Sequence, residues 1–242
     1  NEGNALRAII EHSLAAYRVH FRLFSRMTLI GELPAYVGTV IFLSAMGRSY
    51  ALGMEPVAAF LGTGWKVIGG ALALFGLMLS SMFLVAIADT LGDPGEERST
   101  SVLQAFRGVS LGKALTVLLA FILVMMGISI GMMFFIVPGI LLAVWFYLSP
   151  YAIVMEEAQG FDAFRRSRQL VRGHGGMVFW VLAASFGTEL AGSLVIVGLK
   201  PFFGTPGSAL LLAAWDLLIA PFQILLMIFL YDHLRNAEIG EY

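Results

Sequence analysis

Apolar residues in this chain come in long runs, not in the short alternation of a half-buried strand or the single stripe of a surface helix. A helix of about 20 such residues crosses roughly 30 Å of bilayer hydrocarbon. Six runs qualify: Met27–Gly47, Trp65–Ala88, Ala114–Ile136, Gly139–Met155, Met177–Leu199 and Ala209–Tyr231. Only Val137-Pro138-Gly139 parts the third run from the fourth. Proline has no N–H and turns its predecessor away from helix, so a tight break is expected there. Pro150 falls inside the short fourth run, which predicts a kink or a start within the membrane. A five-span arrangement with a re-entrant pair is the alternative. The predicted fold class is all-α: a polytopic transmembrane bundle of about six spans, one integral membrane domain over residues 1–242.

The stretches between runs have their own pattern. From Asn4 to Phe24, Leu6, Ile9, Ile10, Tyr17, Phe21 and Phe24 fall near one helical face, with Arg7, Glu11, Arg18 and Arg22 off it. Ser99–Ser110 places Val102, Leu103 and Phe106 before Arg107, and Gly160–Arg172 sets Phe161, Phe164 and Val171 among four arginines. Such segments predict amphipathic helices in the headgroup layer, apolar side down and arginines toward lipid phosphate. Each contains Ala-aromatic-Arg (Ala16-Tyr17-Arg18, Ala105-Phe106-Arg107, Ala163-Phe164-Arg165) and each precedes a pair of spans. Three repeats of interfacial helix plus hairpin would give this spacing. Chance recurrence of basic-aromatic segments at a membrane surface would give it too.

Composition removes other solvents and chemistries. Of 242 residues, 59% are hydrophobic and 13% charged, against about 25% charged in soluble domains. One soluble core cannot bury that excess. A net charge of −1 gives no field for nucleic acid, and the absence of cysteine excludes disulfides, thiolate metal sites and a thiol nucleophile. The opening stretch from Asn1 is charged and amphipathic, unlike a signal peptide. Twelve Lys and Arg lie on one side of the six-span topology; only Arg48, Lys66 and Lys200 lie on the other. By the positive-inside rule the first side, with both termini, is cytoplasmic.

Candidate chemistry is sparse. Glu32, Glu189 and Asp216 lie within apolar runs, where an ionised carboxylate costs a few kcal/mol and must be paired, hydrated or protonated. At about 1.5 Å per residue, Glu189 lies roughly 18 Å in from the cytoplasmic end and Asp216 roughly 10 Å from the outer end. Antiparallel neighbours would bring them level. Glu32, about 8 Å from the boundary, is in reach of Arg26 or water. The three are candidates for an intramembrane proton or cation site, or for structural polar contacts between helices. Arg18, Arg107, Arg165, Arg166, Arg168 and Arg172 are candidate contacts to lipid phosphate. Glu156 and Glu157 are expected to pair with Arg165 or Arg168. Gly127-x-x-x-Gly131 and Ala183, Gly187, Ala191 are small faces suited to close packing, most simply within the bundle. His12, His20, His174 and His233 are scattered, without metal-ligand spacing. No catalytic motif is found, and neither metal nor cofactor is expected.

One stretch is distinctive: Ile136-Val137-Pro138-Gly139-Ile140, Ser149-Pro150, Glu156, Gly160-Phe161-Asp162-Ala163-Phe164, Arg166-Ser167 and Leu170-Val171-Arg172-Gly173. It resembles the central signature of the YciC-like family of bacterial inner-membrane proteins. It is also similar to the membrane domain attached to some glycerophosphodiester phosphodiesterases. The specific part covers roughly residues 134–180. The resemblance implies an all-helical protein of the bacterial inner membrane and no known reaction; the phosphodiesterase chemistry is not carried over to these residues. The function expected is that of a non-enzymatic scaffold or accessory subunit, partnered by membrane lipids and by copies of itself or other membrane subunits. A small transporter, channel or lipid-translocating unit is the alternative.

Overall fold

The computed structural model describes residues 2–51, 56–91 and 109–240. These form seven helices and, among the described residues, no strand: α1 (Glu2–Ala51), α2 (Pro56–Leu91), α3 (Leu111–Phe134), α4 (Ile136–Phe146), α5 (Ser149–Glu156), α6 (Phe161–Val171) and α7 (Gly175–Ile239). Five segments are long and apolar enough to cross a bilayer: Val67–Ala88, Leu111–Phe134, Ile136–Glu156, Gly175–Gly204 and Ala214–Ile239. The expected span at Met27–Gly47 lies in α1, where most of its side chains fall outside the described residues.

Three helical hairpins succeed one another along the chain. In the first, α1 and α2 run antiparallel, with Gly38 against the α2 backbone at Gly69 and Ala73, and Gly76 against Ala35. A side chain at either glycine would collide with backbone, so small residues set how close the helices come. In the second, α3 reverses at the extended residue Phe135. Gly131 and Gly139 meet across that turn, and Gly139 also presses on the Met132 backbone. In the third, α7 folds back at Gly204 (φ 67°, ψ −178°), a conformation open essentially to glycine alone. Across it, Gly192 lies under the Trp215 indole.

The fourth expected span is one broken segment. α4 stops at Phe146, and Pro150 stands in the first turn of α5, where a missing N–H breaks no bond. The Ser149 hydroxyl donates to the Phe146 carbonyl at 2.7 Å. Every residue from Ser149 to Val154 is buried, so α5 is an interior helix, apolar on all sides. It shares one buried core with Val178, Leu182, Leu225, Leu230 and Tyr231 of α7. At the opposite extreme, Phe134, Phe135 and Ile136 at the tip of the second hairpin are about 70% exposed (73%, 73% and 69%). Hydrocarbon, not water, suits such a surface.

The segment expected to lie by itself as an interfacial helix over 4–24 is continuous with the first expected span. It is the first half of the 50-residue α1. Its inner face is Ile9, Ser13, Phe24 and Met27, while Ile10 and Phe21, expected on that face, are each 37% exposed. It packs against the second half of α7. The Tyr17 hydroxyl donates to the Leu218 carbonyl at 2.8 Å and its ring meets Phe222 edge-on. A helix with a neighbouring helix to cover its apolar face has no need of the headgroup layer for that purpose.

Candidate functional site

The site is built on how α6 docks. Glu157 (φ 55°) and Gly160 (φ 52°) bend the chain out of α5 and into α6. The buried stripe of α6 is Ala163, Ser167, Leu170 and Val171. This differs from the expected Phe161–Phe164–Val171 face, since Phe161 is 79% exposed. The reason is room: the fully buried Ala163 and Ser167 bring α6 close to the bundle. The Ser167 hydroxyl then donates to the Trp145 carbonyl at 2.7 Å. Because α4 ends one residue later, that carbonyl is among those a helix terminus leaves without an intrahelical donor.

Around this joint the charges sort into two sets. In the first, Arg166 grips Glu156 with two bonds, Nε to Oε2 at 2.6 Å and Nη2 to Oε1 at 3.0 Å, and donates Nη1 to Glu238 Oε2 at 2.6 Å. The Arg166 and Glu156 side chains are only 23% and 22% exposed, so these are half-buried ions whose loss would be felt. Hydrogen bonding to Glu156, and then to Glu238, holds the guanidinium above even its ordinary high pKa. The Tyr231 hydroxyl lies against the same cluster without a well-formed hydrogen bond. The expected pairing of Glu156 and Glu157 with Arg165 or Arg168 is thus replaced: Glu156 takes Arg166, and Glu157 takes Lys113 at 3.7 Å. Arg165 pairs instead with Asp162 on its own helix, at 3.5 Å and fully in solvent reach. The starts of α3 and α7 and the ends of α5 and α7 therefore gather at one end of the bundle.

In the second set, Arg165, Arg168 and Arg172 line a cavity of about 730 Å³ with Trp145, Gln169, Val171, Gly173 and Gly175. The Arg168 guanidinium rests 4.9 Å over the Trp145 ring. Neither Arg168 nor Arg172 has a carboxylate partner among the described residues. Of the other arginines singled out by sequence, Arg18 is exposed on α1, and Arg107 lies outside the described residues. Arg166, though on the same helix, is turned inward to its two carboxylates.

The intramembrane carboxylates fall in the third hairpin. Glu189 Oε1 accepts a hydrogen bond from Gln223 Nε2 at 2.9 Å, and the same amide reaches the Ser185 carbonyl at 3.3 Å. Asp216 lies within electrostatic reach of Glu189, and Trp215 Nε1 points toward the carboxylate without a well-formed bond. The Glu32 side chain is outside the described residues. Gln223 also lines a second cavity, of about 680 Å³, between α2, α3 and the second half of α7, with Ser81, Tyr147 and Tyr151 among its few polar groups. Of the small faces, Gly131 packs within the second hairpin as expected. Gly127 and Gly187, expected to pack too, face open space. The packing glycines that sequence reasoning missed are Gly38, Gly76 and Gly192, which stand in no G-x-x-x-G pattern.

Comparison with known proteins adds one relative. A UPF0259 membrane protein of Pectobacterium carotovorum subsp. carotovorum is 36% identical over 89 residues, 35% of each chain. The chain is a multi-pass membrane protein. The match spans about a third of that relative's length, so it carries the membrane character and no activity. No family model and no solved structure matches the chain.

Proposed function

We propose that this membrane protein is a non-enzymatic scaffold or accessory subunit of a bacterial inner membrane, with both termini and α6 on the cytoplasmic side. The observation that carries this reading is how the distinctive stretch is used. Gly139 closes the second hairpin, Ser149 caps α4, Glu156 holds Arg166, Gly160 turns the chain, Ser167 docks α6, and Gly173 (φ 92°) turns it again. Residues that resemble the YciC-like signature here build a platform that turns Arg166 inward and leaves Arg165, Arg168 and Arg172 outward. Purification in native lipid after mild crosslinking tests the reading. Defined membrane subunits or additional copies of the chain are expected to copurify. A monodisperse monomer carrying only lipid argues against it.

A second reading, a small transporter, is favoured by one observation: the 680 Å³ cavity reaches Gln223, which holds Glu189. Proteoliposome flux of protons or monovalent cations that falls in Glu189→Gln and Asp216→Asn would establish it. Equal flux in wild type and both variants removes it.

A further inference from the structure

We propose that the cavity between α4, α6 and the start of α7 binds a phosphate ester, with Arg168 and Arg172 as its ligating cations and Arg165 at its rim. This rests on the platform reading and names what the platform holds. The contrast within α6 is the starting point. Arg166 is provided with two carboxylates by α5 and α7, whereas no acid lines the cavity, and Arg165 at its edge has only an exposed pair with Asp162 on its own helix. The fold thus concentrates positive charge in a concave space and leaves Arg168 and Arg172 without a carboxylate among the described residues. A planar guanidinium presents a donor fork that fits phosphate oxygens two at a time.

Position supports the same ligand. Arg168 is held over Trp145, and Trp145 is itself fixed through its carbonyl by Ser167. That arrangement lowers the entropy lost when an anion is gripped. Gly173 and Gly175 put backbone without side chains on the wall, so an oxyanion can come near. A volume of about 730 Å³ lies within the usual range for small-molecule sites and exceeds what bare phosphate needs, which points to an ester with a further polar group. Two sources supply such a group: the headgroup of an anionic phospholipid and a soluble phosphate ester.

The test uses the full chain in neutral detergent. It is titrated with phosphatidylcholine mixed micelles containing increasing phosphatidylglycerol and, separately, with glycerol phosphate. Arg168→Gln/Arg172→Gln is compared with Arg22→Gln/Arg26→Gln, which removes the same charge from exposed positions on α1. The pocket variant is expected to bind roughly thirtyfold more weakly, at the usual contribution of a basic residue near an anionic surface, with the α1 variant little changed. Phosphatidylglycerol binding that glycerol phosphate does not displace assigns a lipid headgroup; displacement assigns a soluble ester. Equal weakening in both variants, or in neither, overturns the site. Arg168→Lys/Arg172→Lys keeps the charge without the fork, and its intermediate affinity guards against misfolding as the cause. Failure of the scaffold reading shows separately, as loss of copurifying subunits while the pocket still binds.

Discussion

At the arginine-bearing end, Glu156 and Glu238 share one guanidinium; between the halves of α7, Glu189 is met by the neutral amide of Gln223. The two clusters are of similar size and differ in what surrounds them. Near water, the cost of gathering three ions is reduced by partial solvation, and paired hydrogen bonds of 2.6 to 3.0 Å offset the rest. At depth, a full counter-ion would itself need burying, so a side-chain amide that also reaches the Ser185 carbonyl is the cheaper partner. The first is a joint between distant segments. The second ties one hairpin to itself.

The comparison is best broken at Arg166. Arg166→Ala leaves two carboxylates half-buried together, and a loss of roughly 2–3 kcal/mol is expected, read as a lower unfolding midpoint in detergent. The gap between wild type and this variant should stay constant as pH is raised from about 7 to 10, because arginine does not titrate there. The sign comes from the raised guanidinium pKa: its stabilisation is complete below the ordinary arginine value and lost only above the folded one. A gap that closes over that range would show that the ion cluster is not its source. At depth, Glu189→Leu strands the Gln223 amide and is expected to cost about 1 kcal/mol, whereas Glu189→Gln keeps a hydrogen-bonding partner and changes the midpoint little. Should both variants melt alike, the Gln223 contact contributes nothing. Ser167→Ala, which frees the Trp145 carbonyl, should cost about 1 kcal/mol and speed proteolysis around α6 before the rest of the bundle opens. Arg7→Ala sets the floor: its exposed pair with Glu11 is worth about 0.5 kcal/mol or less.

Much of this arrangement is written in the order of residues. Long apolar runs, Pro138 and Pro150 locate the spans and the break in the fourth, because proline acts through its own backbone. The charge pattern groups Lys113, Arg166 and Arg235 at one end, because crossing a bilayer leaves each loop only two places to be. Pairing within that end is not legible. Glu238 meets Arg166 across 72 positions of sequence, and only the fold-back of α7 decides it. The same holds for α6: periodicity favours its phenylalanines as the inner face, but depth of docking is set by Ala163 and Ser167, whose smallness carries no hydropathy signal. Counting rise per residue places Asp216 and Glu189 level. That Gln223 is the direct partner of Glu189 depends on helix rotation, which counting does not give.

Gly204 has a consequence for how a polar group is housed inside the bilayer. A reversal at one residue in a glycine-only conformation puts the two halves of α7 in a single hairpin. Glu189 and the amide that satisfies it therefore belong to one stretch of chain, and the carboxyl needs no other helix to supply its hydrogen-bond donor.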